Sequence, residues 1–161
     1  MITLLLIRHG IAEEPRPGRR DCDRALTAEG WEKTRAAMRG LVLRGYVPVR
    51  GVASPFRRAA ETLMCLKEAT PDGFPVGYWE GLEPDGSCGM AEAWLMAQLS
   101  EAQPFDTLAV VAHQPFLSHL IRHLTGADVD MKKASCAVLH WNGGRFDLAV
   151  HFSPAELRGQ A

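Results

Sequence analysis

No apolar run in this chain approaches the roughly 20 residues that a membrane-crossing helix needs, so no membrane partner is expected. Neither sign of charge dominates: 18 Lys and Arg against 19 Asp and Glu leave a formal net charge of −1 and a pI near 6.6. Bulk electrostatic attraction to nucleic acid therefore has no basis in composition. Cysteine is scarce, and Cys22, Cys65, Cys88 and Cys136 stand far apart with no C-x-x-C pair. That spacing argues against a zinc site, whose thiolates come in close pairs, and for reduced thiols in a cytoplasmic setting. The opening residues lack a basic n-region, and Arg8 and His9 interrupt the apolar run, so a cleaved export signal is not expected. Repeats, low-complexity tracts and Pro/Gly/Ser linkers are missing as well. Residues 1–161 thus read as a single domain, with a 47% hydrophobic share that supplies one core.

What the chain does have is alternation of strand and helix. Residues 2–7 form an apolar strand of the kind covered on both faces. A charged loop follows at 13–24, and Thr27 then caps a helix whose stripe is Trp31, Thr34, Met38, Leu41 and Val42, ending at Gly45. A short strand at 49–53 runs into Ser54-Pro55, read as the cap and first position of a second helix that reaches Glu68. Residues 71–89 read as a loop and 90–101 as a helix. A strand at 107–113 and a helix at 115–124 precede a terminal hairpin, 135–141 and 145–152, joined by Asn142-Gly143-Gly144. This order predicts an α/β three-layer sandwich: a largely parallel central sheet with an antiparallel edge strand, and helices on both faces. Active sites in such folds lie beyond the carboxyl ends of the strands.

Three predicted strand ends carry matching polar groups. The first ends in Arg8-His9-Gly10, the second in Ser54-Pro55-Phe56-Arg57-Arg58, and the strand from 107 in His113-Gln114-Pro115. Arginine is a permanently charged fork suited to phosphate oxygens. A neutral histidine is a nucleophile toward phosphorus, and a second can donate a hydrogen bond to a transferring phosphoryl group. Phosphoryl transfer depends mainly on positioning and charge stabilisation, so this set suffices without a metal or another cofactor.

The segments LLLIRHGIA, RALTAEG, SPFRRAAET and VVAHQP resemble, in order, the motifs of the histidine phosphatase superfamily, the phosphoglycerate-mutase-like group named for Arg-His-Gly. The small size and the LEPDGS segment are closer to the SixA-type phosphohistidine phosphatases. The resemblance spans residues 4 to 136, most of the chain. It implies that His9 is the phosphorylated nucleophile, Arg8 its phosphate-binding neighbour, and His113 the second active-site histidine. Arg58, followed by Ala59, matches the arginine of Ser-Pro-x-x-Arg-Ala, and Arg24 in Arg-x-Leu-Thr is a further substrate contact. Arg57 leaves the helix about 100° away and is expected to face elsewhere.

Ester-cleaving relatives supply a carboxylic acid that protonates the leaving alkoxide, often from a large insertion. Here the corresponding region is short, and its carboxylates, Glu83 and Asp85, lie in a loop of no obvious rigidity. Phosphohistidine loses its imidazole more easily than an ester loses alkoxide, so a weak or absent acid favours P–N cleavage. The expected activity is metal-independent removal of phosphate from phosphohistidine through a phospho-His9 intermediate. The expected partner is a phosphohistidine-bearing protein, such as a phosphorelay or phosphotransferase domain. Glu83 keeps a second reading open, a small-molecule phosphomonoesterase of the same fold. A non-catalytic phosphohistidine-binding module is the third, although a pure binder has no need of His9. His119 and His123, four apart on a helix without a zincin glutamate, read as solvated face. The arginines of 13–24 read as a charged, mobile loop, and Trp79, Trp94 and Trp141 as packing.

Overall fold

The computed structural model describes residues 1–159. Its six strands are β1 (Ile2–Arg8), β2 (Arg50–Ala53), β3 (Val76–Tyr78), β4 (Thr107–Ala112), β5 (Cys136–Trp141) and β6 (Phe146–Phe152). They form one sheet in the order β3-β2-β4-β1-β5-β6. The first four in that order are parallel; β5 runs against β1, and β6 against β5. The strand of opposite sense is thus β5, one in from the edge.

The sheet divides the interior into two cores. Leu4 and Leu6 of β1, with Leu108 and Val110 of β4, face the helices α3 (Cys88–Glu101) and α4 (Phe116–Thr125). Leu5 and Ile7, with Ala109 and Val111, face α1 (Ala28–Leu43), α2 (Arg57–Ala69) and the short α5 (Pro154–Leu157). Both sides of β1 and β4 are therefore covered, which is why their sequences are apolar throughout rather than alternating.

Local signals account for most boundaries. Thr27 accepts a hydrogen bond from Gly30 N at 2.9 Å and caps α1 as expected. At its other end Gly45, with φ of 93°, allows Gly45 N and Tyr46 N to reach back to the carbonyls of Val42 and Leu41. Helix α5 carries a full capping box between Ser153 and Glu156. It packs so closely on α1 that a Cβ at Gly40 would collide with the Leu157 carbonyl oxygen.

Four expectations need correction. Ser54 does not cap α2: the helix starts at Arg57 with Phe56 as its cap residue, and the Ser54 hydroxyl accepts from Phe56 N–H at 3.2 Å and meets His113 Nε2 at 2.8 Å. Residues 71–89 are not all loop, because Val76–Tyr78 adds a parallel edge strand and Glu80–Leu82 a 3-10 turn. Helix α3 begins at Cys88, two residues before the expected start, with Ser87 as its cap. The segment 13–24 is tied down: Glu13 N–H donates to the Ala25 carbonyl, the Glu13 carboxylate accepts from Ala25 N–H, Ala12 bridges Leu26, and Asp21–Asp23 forms a 3-10 turn.

Candidate active site

The parallel register of β1 and β4 sets Arg8 opposite Ala112, so the next residues, His9 and His113, emerge side by side. Their ring centroids are 5.2 Å apart. Strand β2 lies on the other side of β4 with Ala53 opposite Val111, which brings Ser54 beside His113. The chain leaving β1 crosses to the α1 face and the chain leaving β4 to the α4 face. A crevice opens where the two connections diverge, the switch point at which open α/β sheets bind ligands. It holds about 250 Å³ and is lined by Arg8, His9, Arg24, Arg58, His113 and Lys133, with Glu14 and Pro84 among its other walls.

His9 has a fixed tautomer. Its Nδ1 lies 2.7 Å from the Gly10 carbonyl oxygen, which can only accept, so Nδ1 carries the proton and Nε2 keeps its lone pair. The Arg58 Nε–H faces that lone pair at 3.4 Å. Gly10 is held in turn by its N–H donating to Thr62 Oγ1 at 3.0 Å. A Cβ at Gly10 would run into the Thr34 hydroxyl of α1, so only glycine fits this approach.

The guanidinium of Arg58 is almost fully buried and held from behind. Nη1 donates to the Asp21 carbonyl at 2.8 Å and Nη2 to the Asp21 carboxylate at 3.1 Å. Arg24 donates to the other carboxylate oxygen at 2.8 Å and to the Glu13 carbonyl at 2.7 Å. Partial burial of Asp21 opposes ionisation, but the bonds from Arg24 and Arg58 outweigh it and hold its carboxyl below the usual range. Arg57 turns away, as expected, and pairs with Glu61 at 3.2 Å on an exposed surface. Arg8 Nη1 donates to the Met131 carbonyl at 3.0 Å, while its buried Nε has no partner among the described residues.

Burial first, and then the charges of Arg58, Arg8 and Lys133, push the His9 pKa down to about 3, against the opposing effect of the Gly10 carbonyl. Burial, followed by His9 and Arg58, does the same to His113, also to about 3. Both imidazoles are neutral at pH 7, the state a nucleophile needs. The unfolded chain, with histidines near 6.5, binds more protons than the folded one between about pH 6.5 and 3. Stability should therefore fall as pH drops through that window, by up to about 1.4 kcal/mol per pH unit for each histidine. Urea unfolding at pH 7 and pH 5 tests this against a His9→Gln, His113→Gln variant. The variant should lose less stability on acidification; equal losses would mean that the folded protein protonates both rings freely.

Sequence motifs therefore located His9, Arg8, Arg58, Arg24 and His113, and the structure brings all five to one crevice. Glu83 is not among the crevice walls, although its neighbour Pro84 is, and Asp85 is exposed. The turn bearing them is firmer than expected: Leu82 is buried, and Glu83 N and Gly86 N bond to the Glu80 and Glu83 carbonyls. The carboxylate that does line the crevice is Glu14, which motif reading passed over. Asp21 and Ser54 were missed too, since their roles depend on pairing across 37 and 59 positions of chain, as was Lys133, whose charge acts on the distant His9. His119 and His123 are exposed, the latter 3.2 Å from Glu92. Trp79 stacks on Trp94 over the α3 side of the core.

The family model of the histidine phosphatase superfamily (branch 1) matches residues 4–84, just over half of the chain. No curated protein matches the sequence. Among solved structures, the protein histidine phosphatase SixA complexed with tungstate has a TM-score of 0.85 at 24% identity, covering 96% of this chain and 99% of its own. A SixA from Nakamurella multipartitia, described as a phosphohistidine phosphatase, is 25% identical over 94% of this chain and 95% of its own, with a TM-score of 0.72. A mycobacterial glucosyl-3-phosphoglycerate phosphatase is 22% identical over 94% of this chain and 98% of its own, with a TM-score of 0.73.

Proposed function

Because the chain belongs to the histidine phosphatase superfamily, we propose that it is a phosphatase whose substrate is phosphohistidine on a partner protein, cleaved through a phospho-His9 intermediate. The observation that carries the reading is a neutral His9 with an unprotonated Nε2 set among fixed cations, beside a turn whose carboxylate, Glu83, does not line the crevice. The likeness to the SixA structures supports it.

In the first step Nε2 of His9 attacks phosphorus and forms a P–N bond as the P–N bond of the substrate breaks. The electron pair of that bond returns to the leaving imidazole, which is neutral if its other nitrogen already carries a proton. Arg58 and Arg8 offset charge on the phosphoryl oxygens, and Asp21 keeps the Arg58 fork from swinging away. The hydroxyl of Ser54 lies 2.8 Å from His113 Nε2; with Ser54, which already accepts from Phe56 N–H, donating to that nitrogen, the His113 proton sits on Nδ1, where it can be given to an oxygen of the ligand. Water then attacks phosphorus, inorganic phosphate leaves, and the electron pair returns to His9 Nε2. Four positive side chains at the crevice, Arg8, Arg24, Arg58 and Lys133, provide the charge stabilisation, so activity should persist with chelator present.

One observation favours phosphate esters instead: Glu14 lines the crevice and could protonate an alkoxide. Turnover of a phosphohistidine protein and of a sugar phosphate, by wild type and by Glu14→Gln and Glu83→Gln, separates the two. The proposal expects much higher kcat/KM on the phosphohistidine protein, little changed by either substitution. Efficient sugar-phosphate hydrolysis abolished by Glu14→Gln would make the protein an esterase with Glu14 as its acid.

A further inference from the structure

A second depression, of about 440 Å³, adjoins the crevice, and Arg8 and Lys133 line both. Its other positive groups are Lys33 on α1, Lys132 before β5, and Arg158 after α5; no carboxylate among the described residues lines it. Lys33 and Lys132 have partners outside the depression, Glu29 at 3.6 Å and Asp130 at 2.7 Å. Lys133 and Arg158 have no ion-pair partner among the described residues. Thr34 also lines the space; its buried hydroxyl and the buried Arg8 Nε have no hydrogen-bond partner among the described residues.

The remaining walls, Ile11, Ala134 and Pro154, are apolar. Inorganic anions gain nothing from such walls, whereas a carboxylate on a short alkyl stem satisfies cations and apolar surface together. We infer that this depression docks an acidic segment of the phosphorylated protein, its Glu or Asp side chains on Lys33, Lys133 and Arg158, while the phosphoryl group enters the adjoining crevice. The inference rests on the phosphoprotein reading above and adds to it where the partner sits and what it presents: phosphohistidine next to an acidic stretch. Complementary charge of this kind chiefly raises the association rate and is weakened by salt.

The test uses Lys33→Glu with Arg158→Glu, two positions outside the catalytic crevice. On a phosphohistidine protein carrying an acidic segment, KM should rise about tenfold with kcat unchanged. Hydrolysis of phosphoramidate, which has no segment to dock, should not change. Independently of any turnover, an end-capped peptide of four glutamates and one leucine should shift the NMR amide signals of Lys33 and Ala134 in wild type and not in the variant. Unaltered KM, or tripolyphosphate shifting those amides where the acidic peptide does not, would overturn the docking site. Failure of wild type to dephosphorylate the protein would sink the substrate reading instead, and the peptide titration would still decide the depression.

Discussion

Replacing His9 with Ala should reduce turnover by about 10⁴-fold or more, the scale for loss of a covalent nucleophile. Nothing nearby can replace it. His113 stands 5.2 Å away, but its Nε2 is engaged with Ser54, and no other imidazole lines the crevice. The same logic predicts what is trapped. A brief reaction of wild type, quenched without acid because P–N bonds are acid-labile, should show a phosphoryl group on His9 by peptide mass spectrometry. His9→Ala should bind substrate and carry none. Full turnover by the variant would eliminate the covalent route.

Arg58→Ala should cost on the order of 100-fold in kcat/KM, as expected when a preorganised charge donor is removed from a transition state. Arg57→Ala should change it by less than about threefold, since its exposed pair with Glu61 is of the weak surface kind. The contrast is sharp because the two residues are adjacent. Arg58→Lys should not rescue the loss: a single ammonium nitrogen cannot span the three positions from which Nε, Nη1 and Nη2 reach His9 and the two Asp21 acceptors. Removing Arg58 also leaves the Asp21 carboxylate less compensated and takes away a cation that disfavours His9 protonation. The His9 pKa should therefore move up from about 3, which NMR titration of the imidazole can follow. Equal losses at 57 and 58 would mean that the pairing seen for Arg57 does not persist in solution.

The motifs were legible because each is local. A strand end, a histidine and a glycine are written in consecutive letters, and register does the rest by setting His9 against His113. Helix α1, with its cap and stripe, was read nearly to the residue, and the hairpin likewise, from its turn. What stayed hidden involves a partner far along the chain. Ser54 carries every mark of a helix cap, and no local rule says that an imidazole 59 residues later will claim its hydroxyl. Strand β3 is three residues long and contains a glycine, too short for a periodic signal. Asp21 looked like one charge among many in a loop; its importance comes from the guanidinium it restrains.

The sharing of β1 between two cores constrains how this lineage can change. Leu4 and Leu6 belong to one core and Leu5 and Ile7 to the other, so deleting a single residue within the strand would turn every residue on one side of the gap to the wrong core. The same slip would carry His9 out of step with His113. Gains and losses of length must therefore collect elsewhere, as at the exposed tip of 142–144 or along the exposed stretch 14–20. Evolution can lengthen those edges by insertion and so alter what the protein meets, while the strand that presents His9 can change only letter by letter.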